Sequence, residues 1–291
     1  MIFRVIAILL VTVTYTWAQD TETPSSAEDQ LKAFAALRTS VRESVVPESI
    51  ANINKDLRPF DITYMPEGEG PFPVMLFFHG CSGRTLSHEQ DWAHRLNGEN
   101  IAMISIDSYS GRDIKWEDAC DFKAMIPWQR ASDVIATIDY VKGIDKIDGN
   151  EIYLTGFSHG AMTVWAAQVF ASEQKAPIGM AHWPKGGFDG VKGNFIFYGP
   201  CMEPWSVDVA THAFTGDKDQ YIDPQLCIDY QNIHPKDAGS FDLTLYPDAT
   251  HTFDHAKPNA ANVEAGSVYD EAATLDAWQK IKKVIASLSY Q

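Results

Sequence analysis

The sequence predicts an α/β protein with a mostly parallel central sheet covered by helices on both faces. Three observations carry this expectation. Continuous apolar runs such as PVMLFFHG (73–80), IAMISID (101–107) and EIYLTG (151–156) read as strands buried on both sides, as parallel sheets require. Segments with apolar residues at helical spacing stand between such runs, so strand and helix alternate. The 291-residue chain can bury one large core, and it shows neither an internal repeat nor a second domain.

Residues 1–18 (MIFRVIAILLVTVTYTWA) read as an export signal. Arg4 is their only charge, an apolar run follows, and Thr16 and Ala18 place small residues at the cleavage-determining positions. The run is too short and wrongly flanked to span a membrane. The expectation is therefore a soluble, exported protein, periplasmic or secreted. Residues 19–56 form an N-terminal extension. Its start is polar, and Leu31, Phe34, Leu37, Val41 and Val45 then recur at helical spacing, predicting a helix outside the main core.

The domain proper is expected over 57–291. Phe60, Ile62 and Tyr64 alternate with Asp61 and Thr63, a half-exposed edge strand. Ser87 to Gln90 reads as a capping box opening a helix that carries Trp92 and Leu96 and ends near Gly98. Pro127 opens a helix with a stripe of Trp128, Ala131, Val134, Ile135, Ile138 and Val141. From His159 to Phe170 the chain is apolar nearly all round, as in a helix packed inside the protein. Further strands are expected at 194–199, 209–216 and 241–247. The last helix carries Leu275, Trp278, Ile281, Ile285 and Leu288.

A net charge of −16, with no basic run, argues against nucleic acid and against stable membrane association. None of the four cysteines, Cys81, Cys120, Cys201 and Cys227, forms a C-x-x-C pair, so zinc-ribbon or thioredoxin chemistry has no support. An even count in an exported chain favours two disulfides, with three possible connectivities.

The stretch TGFSHGAM (155–162) fits G-x-S-x-G, in which a strand turns sharply into a helix and holds the serine exposed. Gly156 and Gly160 leave room for neighbouring backbone. A serine hydroxyl needs a base, and the base needs a carboxylate that fixes its tautomer. In this architecture the order is Ser, then Asp or Glu, then His, each after a strand. The strand ending FTG leads to Asp217 and Asp219, and the strand ending LYP leads to His251. Asp219 is favoured over Asp217 because it lies further past its strand. An oxyanion hole would take the backbone N–H of His159 and of Cys81 in FFHGCSG.

Several other residues invite a role. His255 rivals His251, and the pair has the spacing of a metal-binding helix, but the segment follows a strand and meets Pro258, so no metal is expected. His88 and Glu89 sit at a helix start, where capping explains them. His79 is expected to shape the oxyanion loop, and Arg130 and Asp133 to be structural. Arg112 either binds a substrate carboxylate or pairs with Asp107 or Asp113. The Gly-rich segment 182–193 with Trp183 reads as a loop over the site or an ordinary surface connection, and Tyr109 is a further candidate for substrate contact.

HGCSGRT, SIDSYSGRD, QRASD, GFSHGAM, FYGPCMEP, TGDKDQYIDPQLC and YPDATHTFD, in that order, resemble the dienelactone hydrolase family of α/β-hydrolases. The likeness is greatest to its exported bacterial members with a serine nucleophile. The resemblance implies an α/β-hydrolase fold from about Pro59 onward. It also implies hydrolysis of a small-molecule carboxylic ester or lactone without a cofactor, with Ser158 as nucleophile, Asp219 as acid and His251 as base. The pairings Cys81–Cys120 and Cys201–Cys227 are implied as well. Dienelactone hydrolases in the narrow sense carry cysteine where this chain has Ser158, so the dienelactone itself is not implied. A peptidase of the same fold and a non-catalytic binding protein are the alternatives.

Overall fold

The computed structural model describes residues 27–41 and 45–289, and the expected export signal lies outside the described residues. Seven strands form one sheet: β1 (Ile62–Tyr64), β2 (Phe72–Phe78), β3 (Ala102–Ile106), β4 (Ile147–Phe157), β5 (Val191–Phe197), β6 (Ala210–Gly216) and β7 (Phe241–Tyr246). Their order is β1-β3-β2-β4-β5-β6-β7. Only β1 runs antiparallel to its neighbour; the other pairings are parallel. The α-helices among the described residues are α1 (Ala27–Val41), α2 (Ile50–Leu57), α3 (Leu86–Asn97), α4 (Trp116–Cys120), α5 (Pro127–Val141), α6 (His159–Glu173), α7 (Gln225–Ile233), α8 (Ala260–Glu264) and α9 (Glu271–Leu288).

The side-chain period of two in β2 explains its continuous apolar run. Val74, Leu76 and Phe78 enter one core, with α5 and α6, while Met75 and Phe77 enter the other, with α3 and α9. Helix α6 is buried on every side from His159 to Ala171, which accounts for its lack of a polar face. Register pairs Phe78 with Gly156, Phe157 with Phe197, and Gly216 with Tyr246. The carboxyl ends of β2, β4, β6 and β7 therefore come out along one edge, where α/β sheets collect functional groups.

Four features differ from the sequence reading. Helix α1 is not outside the main core: Phe34 is buried in it and packs edge-on against Phe122 at 6.5 Å, while the Arg38 guanidinium sits 5.3 Å over the Phe170 ring. Helix α3 starts two residues earlier than the capping box suggests, with Thr85 as its N-cap. Leu275 is 42% exposed; Ala277, Trp278, Ile281 and Ile285 form the seam of α9. Helices α2, α4, α7 and α8 were not foreseen, because five to nine residues with few apolar positions give no usable periodicity.

Both disulfides have the pairing that the family resemblance implies. Cys81 joins Cys120 and Cys201 joins Cys227, leaving no free cysteine among the described residues. They suit an oxidising environment. No helix of the described residues is long and apolar enough to cross a membrane.

Candidate active site

Ser158 occupies the turn between β4 and α6 with φ 53° and ψ −116°, a backbone conformation that side chains other than glycine rarely adopt. Two close approaches require glycine beside it. A Cβ on Gly156 would stand 2.2 Å from the Gly160 carbonyl oxygen, and one on Gly160 would stand 2.0 Å from that of Phe78. The turn is further tied to the sheet by the Ser158 N–H, which donates to Phe197 O at 3.0 Å. Ser158 is thus lifted, half-buried, to the floor of a cavity of about 830 Å³.

His251 lies against the same cavity, on the turn after β7, and is almost fully buried. Its Nδ1 contacts Asp219 Oδ2 at 2.8 Å, and its N–H donates to Gln220 Oε1 at 3.2 Å. The other Asp219 oxygen accepts the N–H groups of Tyr221 and Ile222, each at 2.9 Å. These three contacts aim one carboxylate oxygen at His251, so the imidazole carries its proton on Nδ1 and leaves Nε2 free to accept another. Asp217 faces solvent instead and accepts the Asp248 N–H at 2.7 Å. Ser158 Oγ makes no hydrogen bond among the described residues. In unliganded sites such contacts commonly tighten only when substrate binds.

The loop expected to supply an oxyanion amide follows β2. His79 Nδ1–H donates to Gly80 O at 2.7 Å, and Arg130 Nη1 donates to His79 O at 2.8 Å. Burial, with the Arg130 charge, holds the His79 imidazole well below its usual pKa, and the same two causes act on His159. Both rings are therefore neutral at pH 7. The Cys81–Cys120 disulfide fastens this loop to α4, and both cysteines line the cavity.

Beside His251 sits a buried polar hub that the sequence reading missed. Asp254 accepts from Tyr198 Oη at 2.8 Å, from His88 Nε2 at 2.7 Å and from Trp92 Nε1 at 2.9 Å. Burial would raise the Asp254 carboxyl, but His88 and the other donors outweigh it and hold it far below the usual carboxylate range. His88 is therefore no capping residue, and neither is Glu89, which is buried and paired with Arg84. Tyr198 also lies 4.7 Å, ring to ring, from His251, so the hub reaches the candidate base. The only early signal was DATHTFD itself, which sets an aspartate three residues after His251.

His88, Asp254 and His255 bring one ligand atom each within 4.8 Å of one another. The arrangement does not suit a cation. The His88 and His255 rings stack with centroids 3.6 Å apart at 26°, so their lone pairs do not converge on one point, and the Asp254 oxygens already hold three donors. His251 and His255 do not share a helix face either, because residues 251–254 form a turn.

The three residues offered for substrate contact are not among those lining the cavity. Arg112 is held by Asp133, Nη1 to Oδ2 at 3.0 Å and Nη2 to Oδ1 at 2.8 Å, and neither Asp107 nor Asp113 is its partner. Tyr109 is buried beneath the Arg130 guanidinium, 5.3 Å from its ring. Trp183 packs on the core, in the segment that leads into β5. That segment meets the amino end of its strand, opposite the edge that carries Ser158 and His251. The cavity walls come instead from the loop after β2, the stretch from Trp116 to Phe122, Gln220 to Ile222, and Asn259 to Ala265.

Residues 62–289 match the dienelactone hydrolase family. No curated protein matches the sequence. Among solved structures, a dienelactone hydrolase-like promiscuous phosphotriesterase from metagenomic libraries is 16% identical, with a TM-score of 0.57 over 78% of this chain and 92% of that one. An esterase of Thermogutta terrifontis with propionate bound is 11% identical, with a TM-score of 0.55 over 78% of this chain and 88% of that one. The protein Est1E of Butyrivibrio proteoclasticus, bound to ferulic acid, is 16% identical, with a TM-score of 0.51 over 78% of this chain and 96% of that one. These structures share the fold.

Proposed function

The chain belongs to the dienelactone hydrolase family, and from that membership we propose that it is a serine hydrolase cleaving carboxylic esters or lactones through an acyl-enzyme. The observation that carries the reading is Ser158, held in its strained turn against the same cavity as His251, whose Nδ1 is fixed by Asp219 at 2.8 Å. Ser158 Oγ attacks the carbonyl carbon as His251 Nε2 takes its proton. The carbonyl oxygen becomes an oxyanion in the hole formed by the Cys81 and His159 amides. On collapse His251 returns the proton to the leaving alkoxide. In an open-chain ester the alcohol departs; in a lactone it stays tethered to the acyl group. Water, activated by the same imidazole, then releases the acid.

Export completes the proposal: residues 1–18 direct the chain out of the cytoplasm, and the domain over 57–291 works in the oxidising space that both disulfides suit. The test is hydrolysis of p-nitrophenyl acetate and butyrate. Ser158→Ala is expected to lower kcat at least ~10³-fold with the fold intact, by analogy with loss of a triad member. Turnover that survives the substitution rejects Ser158 as the nucleophile.

A further inference from the structure

Arg130 stands out as a buried cation that no carboxylate contacts, although Asp133 and Asp107 lie near enough to act on it. It is fully inaccessible on α5, and among the described residues it has no ion-pair partner. Asp133, three residues along the same helix, is occupied by Arg112. The Arg130 contacts are neutral: Nε donates to Ser108 Oγ at 2.8 Å, and Nη1 donates to His79 O at 2.8 Å and to His159 Nδ1 at 3.2 Å, while Nη2 has no partner. Burying an unpaired charge is strongly unfavourable, and an apolar side chain of similar volume would avoid the cost.

The two groups it holds by Nη1 belong to the two sides of the hole. On one side, His79 O is fixed by Arg130, and Gly80 O accepts from both the His79 ring at 2.7 Å and the Gly83 N–H at 3.3 Å. In a trans peptide unit the C=O and the following N–H point in opposite directions. Anchoring Gly80 O therefore turns the Cys81 N–H the other way, and that N–H makes no hydrogen bond among the described residues. On the other side, the His159 N–H is in the first turn of α6, where no intrahelical acceptor exists. The His159 ring, held by the same Nη1, fixes the residue that carries this N–H.

We propose that Arg130 is a positioning residue for the oxyanion hole: it braces the loop that carries the Cys81 amide through His79 O and the residue that carries the His159 amide through its ring, and it leaves a charge that no carboxylate contacts on the side of the hole. The inference rests on the reading of Ser158 as nucleophile. A cation so placed favours the tetrahedral anion over the neutral ground state, so its effect falls on kcat and not on KM.

The test compares Arg130→Met and Arg130→Lys with the unaltered full-length chain. It reads kcat and KM for p-nitrophenyl acetate, the inhibition constant of phenylboronic acid, which forms a tetrahedral anion on a nucleophilic serine, and the melting temperature. Arg130→Met is expected to lower kcat roughly 10- to 100-fold with KM changed less than about threefold, and to weaken boronate binding by a similar factor, as for partial loss of an oxyanion donor. Arg130→Lys, which keeps the charge, is expected to recover part of both. Ser108→Ala, which frees the guanidinium on one side, should give a smaller loss of the same kind and keeps the test open if Arg130→Met does not fold. Ile135→Ala, further along α5, is the stability control and should lower the melting temperature with kcat retained. If Ser158→Ala is inactive but the Arg130 and Ser108 variants keep kcat and boronate affinity, the inference is wrong and the nucleophile stands. If Ser158→Ala is active, the nucleophile reading itself fails.

Discussion

Asp254 illustrates how much one side chain can organise. It joins three separate parts of the chain: Tyr198 after β5, His88 and Trp92 on α3, and the turn that carries His251. Replacing it with Asn swaps a carboxylate oxygen for an amide NH₂ that must face another donor. A buried unmade hydrogen bond costs about 1–3 kcal/mol. Asp254→Asn is therefore expected to destabilise the fold by that amount in a urea titration, and to lower kcat about tenfold as the His251 turn loosens. The residue scale is also where the sequence was least informative. Ser158 was legible because only glycines fit on either side of it, and His251 because strand ends announce themselves. Arg130 and Asp254 were not. Which face of α5 meets the loop after β2, and which donors converge on one carboxylate, depend on contacts across 51 and 166 residues of chain.

At the scale of elements, the two disulfides make a matched pair for comparison. They close loops of 39 and 26 residues, so chain entropy assigns them similar stabilisation, about 4 and about 3.5 kcal/mol. Their positions differ. Cys81–Cys120 links the loop after β2 to α4 at the cavity wall, while Cys201–Cys227 fastens α7 to the chain after β5, inside the main core. Replacing Cys81 and Cys120 together by Ala is expected to lower both the melting temperature and kcat; replacing Cys201 and Cys227 together should lower the melting temperature alone. Equal loss of kcat in both would refute the assignment of the Cys81 amide to the hole. The long elements were readable for the same physical reason that they are stable. Strands β2 to β4 and helices α5 and α6 are dictated by burial on both sides, and that leaves an apolar run in the sequence. Helices α4 and α8 are held by a disulfide and by an Asn259 cap, and they carry almost no hydrophobic pattern to read.

For the whole molecule, buried neutral histidines set the response to acid. Burial holds His79 and His159 well below 6.5 and His255 at about 3. In the unfolded chain these groups return to about 6.5, so below that pH the unfolded state binds more protons. Their stabilisation is complete above pH 6.5 and is lost as the pH falls. Between pH 6.5 and 5.5 the loss is about 1 kcal/mol for each histidine. Asp61 acts with the opposite sign. Burial raises it to about 6, so its contribution is full below 3.8 and is lost as the pH rises through about 6. It offsets part of the loss, leaving roughly 2 kcal/mol. The melting temperature is accordingly expected to fall by several degrees over that interval, and His255→Asn should flatten the slope by about half. An unchanged melting temperature from pH 6.5 to 5.5 would contradict the neutral state of these rings.

The close fit at Gly160 has one more consequence. With Phe78 O only 2.0 Å from where a Cβ would stand, the end of β2, the serine turn and the start of α6 are interlocked, and neither Gly156 nor Gly160 admits a side chain. The enclosure above them is built otherwise, from short stretches around Trp116, Tyr221 and Asn262 that return to the sheet through loops. Inheritance can therefore act on the two parts separately. Variants built on this plan can exchange the enclosure by insertion, deletion or recombination of those stretches, while Gly156 and Gly160 hold the edge below to glycine.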